Sequence, residues 1–442
     1  MMIDAKKAKA TLRRHASQQK TKLIHRALNP ARYCVELACD KLGESGPLSR
    51  AVGRPIRVAL ISDLDAYCSE EQFTPFSTYR FKLRKNLRLI SVHLIIKDVL
   101  RAPRLILSSF DIIVVKMSFR TIPSEALRIV RTIRTAVHSK RIIYFDGDDD
   151  LSIQWPAILP YVDSYIKKHI FRNKLDYLKR FVGKSNLHDY VSNKFGYSFS
   201  ERDYGNCREG YTFIPESGPV PIDQLDKIKL GFNLAVDRHI MKLYYYLQDR
   251  SPPSAKENDI IYRGGVAQEN WSYHLRKDIE PALKRLEKSY RVVIPNRRVT
   301  LEEYYHEMMS SKICVSPFGY GEICWRDFEA ILCRCLLLKP DMSHLETNPD
   351  IFRPHETYVP VLWDFSDLGE KCAYYLAHEE KRQRIAAKAL SVLEEFYKND
   401  GFIKAVSRIF EVRVPISDSL TKTFGCNRRA GEDADSATMP LS

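Results

Sequence analysis

The chain has 442 residues, 44% hydrophobic and 28% charged, with 70 Lys+Arg against 55 Asp+Glu for a formal net charge of +15. That length suits two globular domains, each able to bury a core, and the Gly and Pro counts exclude a fibrous or low-complexity chain. Ten dispersed cysteines exclude a disulfide scaffold, and no unbroken run of about 18 apolar residues offers a membrane span.

In chain order, residues 1–53 are a basic extension, with eleven Lys/Arg against four Asp/Glu in the first 50 residues, a net +7. The segment reads as a helical, loosely amphipathic arm. It is open to four readings: a solvated terminus, a contact with anionic lipid, a contact with nucleic acid, or an Arg-rich presequence. No apolar stretch of the secretory type follows the first Met, so the expectation is a cytoplasmic protein in a reducing compartment. Gly53-Arg54-Pro55 then breaks the chain, and IRVALIS (56–62) reads as a buried parallel strand. A helix is predicted over 77–108, a strand at DIIVVKM (111–117), a helix over 123–137, and a strand at RIIYFDGDDD (141–150) that ends in an acidic turn. YVDSYIK (161–167) and YTFIPE (211–216) are further strand candidates. Strands separated by helices of ten to fifteen residues argue for parallel βαβ units.

SGPVPIDQLDK (217–227) is the linker candidate, followed by a long predicted helix over 224–249 and a break at RSPPSAKEND (250–259). The pattern then restarts with strands at DIIYRGG (259–265), RVVI, KICVSP, LLLK and YVPVLW, and helices over 271–290, 300–310, 322–333, 366–376 and 378–399. The domain reading is therefore 1–53 extension, 54–223 first Rossmann-like unit, 224–258 connection, 259–400 second Rossmann-like unit and 401–442 tail. The fold class is α/β with two such units.

Two constellations carry chemistry. In ICVSPFGYGEICWRDFEAILCRCLLLKPD (313–341), a strand runs into the turn Phe318-Gly319-Tyr320-Gly321 and a helix opens near Glu322. Glycines at such a turn let backbone N–H groups approach a phosphate, and a helix N-terminus favours negative charge. Arg326 and Glu329, three apart, share a helix face; they suit a diphosphate and a ribose, or simply pair with each other. The second constellation is Asp146-Gly147-Asp148-Asp149-Asp150 at a strand end, which suits a divalent cation, a general base, or a plain turn. No histidine or cysteine lies in metal-ligand spacing, so no metal is expected.

The run SPFGYGEICWRDFEAILCRCLLLKPD resembles the donor-binding segment of GT-B-type glycosyltransferases. It is most similar to bacterial polysaccharide and lipopolysaccharide enzymes of the glycosyltransferase family 1 type, and more distantly to exostosin-like domains. The resemblance covers residues 259–400, with support from YFDGDDDLSIQWPAILPYVDSYIKKHIF (144–171). It implies two Rossmann-like domains facing across a cleft, with a nucleotide sugar on the second and a saccharide or lipid-linked acceptor on the first. On that resemblance the donor residues are Arg263, Gly264, Arg276, Gly319, Tyr320, Gly321, Glu322, Arg326 and Glu329, with Glu329-Ala330 matching the ribose-binding carboxylate. The sequence departs from the family pattern twice. Gly321 stands where many retaining enzymes carry a second Glu, with Glu322 one residue displaced. Gly265 replaces the usual Arg, leaving Arg263 or Arg276 as the phosphate cation. Asp146 or Asp148 is the candidate to orient or deprotonate the acceptor.

The resulting expectation is a metal-independent glycosyltransferase of surface polysaccharide or lipopolysaccharide synthesis, with no cofactor besides its nucleotide-sugar substrate. It would be cytoplasmic, and peripheral at the inner face of the cell membrane if residues 1–50 bind anionic lipid; no nucleic-acid partner is expected. The alternatives are a non-catalytic basic nucleic-acid-binding protein and a degenerate GT-B scaffold that binds a sugar nucleotide without transfer.

Overall fold

The computed structural model describes residues 54–63, 72–200, 216–248, 255–264, 271–295 and 297–412. The basic extension, the tail from residue 413 and most of the strand candidate at 211–216 lie outside the described residues. No helix among the described residues is long and apolar enough to cross a membrane.

The first unit is a six-stranded, all-parallel sheet in the order β2-β1-β3-β4-β5-β9. Its strands are β1 (Ile56–Ser62), β2 (Leu89–Ile95), β3 (Ile112–Lys116), β4 (Arg141–Asp146), β5 (Ser164–Lys167) and β9 (Ile228–Leu230). The second unit is a five-stranded parallel sheet in the order β11-β10-β12-β13-β15. It is built from β10 (Asn258–Ile261), β11 (Val292–Val293), β12 (Ser311–Val315), β13 (Leu336–Pro340) and β15 (Val359–Val361). The central strands are buried on both faces, which is why β1, β3 and β13 read as apolar runs, while the edge strands β2, β9 and β11 are only partly buried. Helices of eight residues or more are α1 (Arg80–Leu87), α2 (Pro123–Ala136), α3 (Asn186–Phe195), α4 (Arg238–Gln248), α5 (Ile279–Leu286), α6 (Leu301–Met309), α7 (Trp325–Leu332), α8 (Leu368–Ala377), α9 (Glu379–Lys398) and α10 (Gly401–Phe410).

Four segments differ from the sequence reading, the first being the helix expected over 271–290, which is α-helical only over Ile279–Leu286 after a 3-10 turn at Trp271–Tyr273. The helix expected over 77–108 is interrupted by β2: α1 ends at Arg88, which adopts a left-handed conformation (φ 54°), and LISVHLI then pairs in register with β1. The long helix expected over 224–249 begins only at Arg238. Residues 228–230 instead add the last strand to the first sheet, and Gly231 follows where a Cβ would stand 2.9 Å from the Lys167 carbonyl oxygen. The tail expected from residue 401 opens with α10, whose Phe402, Ile403, Val406, Ile409 and Phe410 pack with Val58, Leu60 and Phe145 under the first sheet. The chain thus ends its second unit with α9 and crosses back to cover the first.

The units share one core. A single cluster of buried side chains runs from Ala59 and Ile113 of the first sheet through Trp271 and Phe318 to Leu337 of the second. Backbone joins them as well: β6 (His169–Phe171) pairs antiparallel with β14 (Leu345–Thr347). Beside that pair, Asn233 N–H donates to the Asn348 carbonyl at 3.0 Å, and its side-chain amide donates to Thr347 Oγ1 at 2.6 Å. The closest approach is at Gly321, where an ideal Cβ would lie 1.6 Å from the Asp149 carbonyl oxygen. Only a glycine fits there. A Gly321→Ala variant is expected to lose about 3 kcal/mol of stability through this overpacking, whereas Gly319→Ala, whose Cβ would meet nothing closer than 3.6 Å, should be near neutral. Urea unfolding of the two variants checks this, and equal stabilities would contradict it.

Candidate functional site

Both sheets change direction of winding beside their first strand, between β1 and β3 and between β10 and β12, and ligands of open α/β sheets bind outside the strand ends at such points. The loops there carry the residues picked out by sequence: Tyr262-Arg263-Gly264 after β10, Ser316–Glu322 after β12, and the aspartate turn after β4, next to β3.

In the second unit, the turn after β12 is fixed from below. Asp327, fully buried, accepts from Ser316 Oγ at 2.6 Å, Cys324 N–H at 2.9 Å and Lys339 Nζ at 3.0 Å. It thereby caps α7 and pins the turn to β13. The buried Lys339–Asp327 pair has both partners at 0% exposure and is satisfied by further hydrogen bonds, the condition under which such a pair persists.

Over this platform two guanidinium groups converge. Arg276 donates from Nε to the Phe318 carbonyl at 2.7 Å, and Arg326 donates from Nη2 to the Arg263 carbonyl at 2.9 Å. Burial lowers the pKa of Arg276, and the positive charge of Arg326 lowers it further. Arg326 makes no ion pair among the described residues, and its Nε is buried without a partner, as is the Tyr262 hydroxyl. Two like charges, an unpartnered donor and a phenol at the mouth of a helix N-terminus form an arrangement that an anion would complete. Gly319 lies beside Arg276 and leaves the turn backbone open to close approach. Tyr320, next to it, is 58% exposed. Gly264 is sterically required for a local reason, since a Cβ there would lie 2.4 Å from the Tyr262 hydroxyl.

Three expected donor residues are engaged elsewhere. Arg263, a candidate phosphate cation, is held bidentately by Glu307 at 2.8 and 2.5 Å, whereas Arg276 and Arg326 are bonded to carbonyl oxygens. Glu329 does not present an open carboxylate for a ribose. Its Oε1 accepts from His239 Nε2 at 2.7 Å and Tyr305 at 3.0 Å, and its Oε2 from Tyr304 at 2.7 Å. Glu322 is wholly buried where the units meet. Its oxygens accept from His169 Nε2 at 3.2 Å and Asn186 Nδ2 at 3.0 Å, both of the first unit, with His344 Nε2 3.8 Å away. Burial opposes ionisation of Glu322, but the hydrogen bond from His169 and the two nearby imidazoles outweigh it and hold the carboxyl well below its usual range.

The acidic turn lies directly against Gly321, so the structure brings the two sequence constellations together. Its charges are already compensated. Asp146 accepts from Tyr165 at 2.7 Å and Lys167 at 3.0 Å, Asp148 from Lys184, and Asp149 from Lys168 at 2.7 Å. Burial raises the proton affinity of Asp146 and Asp148, yet the lysine charges dominate and both carboxyls titrate below their ordinary value. A general base needs a pKa nearer the operating pH, so the expectation that either aspartate removes the acceptor proton does not fit this geometry. Asp150 behaves oppositely: burial pushes it up to about 6 despite Lys184, while Ser152 supports it by hydrogen bonds. Among the described residues no group of three His, Cys, Asp or Glu is placed to hold a metal ion. Beside the turn, a narrow pocket is lined by Lys116, Phe119, Tyr144, Asp148, Gln154 and Trp155.

His169, Asn186, His239, Tyr304, Tyr305 and the lysines 167, 168 and 184 were not singled out by sequence. Each meets its carboxylate across long sequence separations, and only the alternation of Asp with downstream Lys could have hinted at the neutralised turn.

Residues 266–401, less than half of the chain, match a family model described as glycosyl transferase-like. No curated protein sequence matches the chain. Among solved structures, it is similar to HepE of Anabaena in complex with UDP-glucose, at 8% identity over 80% of this chain and 99% of that one, with a TM-score of 0.41. A second is an alpha-glucosyltransferase in complex with UDP and a 13-mer DNA, at 10% identity over 79% and 100% of the two chains, TM-score 0.41. Sucrose-phosphate synthase from Thermosynechococcus elongatus follows at 10% identity over 80% and 98%, TM-score 0.40. Residues 266–401, which make up most of the second unit, are thus similar to a glycosyl transferase-like domain.

The His239–Glu329 pair yields a pH prediction. The hydrogen bond to Glu329 raises the His239 pKa above 6.5, and Glu329 is lowered below 4.5 by His239 and the tyrosines against the opposing effect of burial. The stability His239 contributes is therefore complete below pH 6.5 and fades as pH rises through its raised value. That of Glu329 is complete above pH 4.5 and fades as pH falls. NMR titration of His239 is expected to give a pKa above 6.5 that drops in Glu329→Gln; an unchanged value would refute the coupling.

Proposed function

We propose that the protein is a glycosyltransferase that moves a sugar from a nucleoside-diphosphate sugar to a saccharide or lipid-linked acceptor. The observation that carries the reading is the convergence of Arg276 and Arg326 at the N-terminus of α7, with Arg326 Nε and the Tyr262 hydroxyl buried and unpartnered. The family match over 266–401 supports it. In the transition state, negative charge grows on the bridging oxygen of the departing diphosphate. Two fixed guanidinium groups and the helix end stabilise that charge without reorganising, which is the largest contribution a protein makes to such a transfer. Gly319, where a Cβ would meet nothing closer than 3.6 Å, leaves the turn beside Arg276 open to a ligand. The first unit would present the acceptor across the seam, its polar pocket beside Asp148 receiving a hydroxyl-bearing group.

We place the reaction in surface polysaccharide or lipopolysaccharide synthesis at the cytoplasmic face of the membrane, with no cofactor and no metal. A second reading, donor binding without transfer, is favoured by one observation: Asp146 and Asp148 are both held by lysines and neither is poised as a base.

Calorimetric titration with a panel of nucleoside diphosphates and their sugars tests the donor site. Arg326→Gln is expected to weaken the best ligand by about 10–100-fold, the loss of one or two charge-assisted hydrogen bonds, while Arg263→Gln leaves affinity nearly unchanged. Equal affinity in Arg326→Gln would sink the assignment. Turnover that survives a chelator fits the metal-free reading, and donor binding with no product from any acceptor selects the scaffold reading.

A further inference from the structure

Glu329 lies three residues beyond Arg326 on the same face of α7. A ligand whose diphosphate is held at Arg276 and Arg326 therefore carries its adjoining hydroxyl-bearing ring toward this carboxylate. The carboxylate already has three donors. Tyr304 donates to Oε2 at 2.7 Å, while Oε1 receives Tyr305 at 3.0 Å and His239 Nε2 at 2.7 Å. The Tyr305 hydroxyl also lies 2.8 Å from that nitrogen. These donors are not equivalent. Tyr304 and Tyr305 are neighbours on α6, within the same unit as Glu329. His239 comes from the start of α4, on the segment that leaves the last strand of the first sheet, and its side chain is 33% exposed against 7% for Glu329. Its ring packs between Tyr305 and Trp325, with centroids 6.2 and 5.8 Å away.

We propose that His239 is a displaceable lock on Glu329, competing for Oε1 with a hydroxyl of the ligand whose diphosphate sits at Arg276 and Arg326. The inference rests on the donor-site reading above and adds its control. When the imidazole turns out toward solvent, Tyr304 and Tyr305 still hold the carboxylate, and the ligand hydroxyl takes over the hydrogen bond that His239 gives up. Glu329 is thus never left buried and unsatisfied, which would be the costly outcome. The lock is strongest when His239 is charged, since a charge-assisted hydrogen bond outweighs a neutral one. The groups facing His239 are Glu329 on α7, Tyr305 on α6, Asp237 just before α4 and Lys242 one turn along it. Glu329 and Asp237 favour the imidazolium, Lys242 and partial burial oppose it, and the net effect raises its pKa above 6.5. Tyr305 is kept neutral by burial. An imidazolium released into water returns toward its ordinary pKa and sheds a proton. Ligand affinity is therefore lowest below pH 6.5 and rises as pH climbs through the raised value.

The test is calorimetric titration of the full chain with UDP-glucose, GDP-mannose and ADP-glucose between about pH 6 and about pH 8, a range in which none of these probes takes up a proton. The wild type should bind its best probe more tightly as pH rises, by up to about tenfold per pH unit, the limit for one linked proton. His239→Ala should bind at the low end of the range at least as tightly as the wild type does at the high end, with an affinity flat in pH. His239→Gln still donates to Glu329 but does not titrate, so it too should be flat, and it keeps the test valid if the alanine variant folds poorly. In the wild type, a saturating probe should bring the His239 pKa, read by NMR, down toward 6.5. The proposal is overturned if wild-type affinity is flat in pH, or if either variant keeps the wild-type pH profile. It is equally overturned if His239→Ala, folded as judged by thermal melting, binds more weakly than the wild type throughout, which would make His239 a ligand contact. Absence of binding to every probe by all three proteins overturns the donor-site reading and this inference with it, an outcome distinct from binding without pH dependence.

Discussion

Glu322 is a fully buried carboxylate at the junction of two domains, and its ionised form is tolerable only while both domains are in place. Moving a carboxylate out of water is penalised by several kcal/mol unless its lone pairs are satisfied. Here the second unit supplies the carboxylate and the first supplies His169 and Asn186. His169 is itself kept largely neutral by burial, so it serves as a hydrogen-bond donor more than as a counter-ion. Rotation of one unit away from the other would strip these donors, break the β6–β14 pair and part the backbone contact at Gly321. The relative placement of donor turn and acidic turn is therefore set by the fold's own hydrogen-bond accounting.

That seam explains why the acidic turn is neutralised. Four aspartates pressed against a neighbouring domain would repel each other and any incoming diphosphate. Lysines 167, 168 and 184 remove this field locally: Lys167 from β5, Lys168 just after it and Lys184 before α3. The result is a polar turn whose charges are compensated locally, close to Arg276 and Arg326. The arginine side of the junction is thus positive and the aspartate side compensated. The burial-raised Asp150 fits the same logic, since Lys184 is shared with Asp148 and is 3.1 Å from Asp150.

Apolar runs such as IRVALIS and LLLK revealed the parallel strands because burial on both faces leaves no polar positions to confuse the pattern. The strand LISVHLI was hidden inside a predicted helix because Leu, Ile and Val at its positions satisfy either period, and only the left-handed Arg88 ends the helix. Helix α10 was masked for a different reason: its apolar residues have a partner only in the first unit, more than two hundred residues earlier in the chain. At the site, the Gly-rich turn and Arg326 were legible because their chemistry is local, whereas Glu322 and Glu329 carried the right residue type in a pattern that says nothing about who hydrogen-bonds them. Histidines dismissed for lacking metal spacing are those partners.

The same partition applies to the net charge. Lys167, Lys184 and Lys339 are buried and answered by aspartates, so they add nothing to the field outside. Arg276 and Arg326 are positive but enclosed, so their field is shaped by low-dielectric walls rather than by solvent. Other basic side chains lie at the surface, some paired with acids, as Arg101 is with Asp98 and Arg128 with Glu125. The excess of positive charge thus divides into enclosed groups and solvated ones. The two differ in salt dependence, because screening acts over a Debye length in water and far less inside a walled site. Ionic strength therefore acts on the solvated charges well before it reaches the enclosed pair.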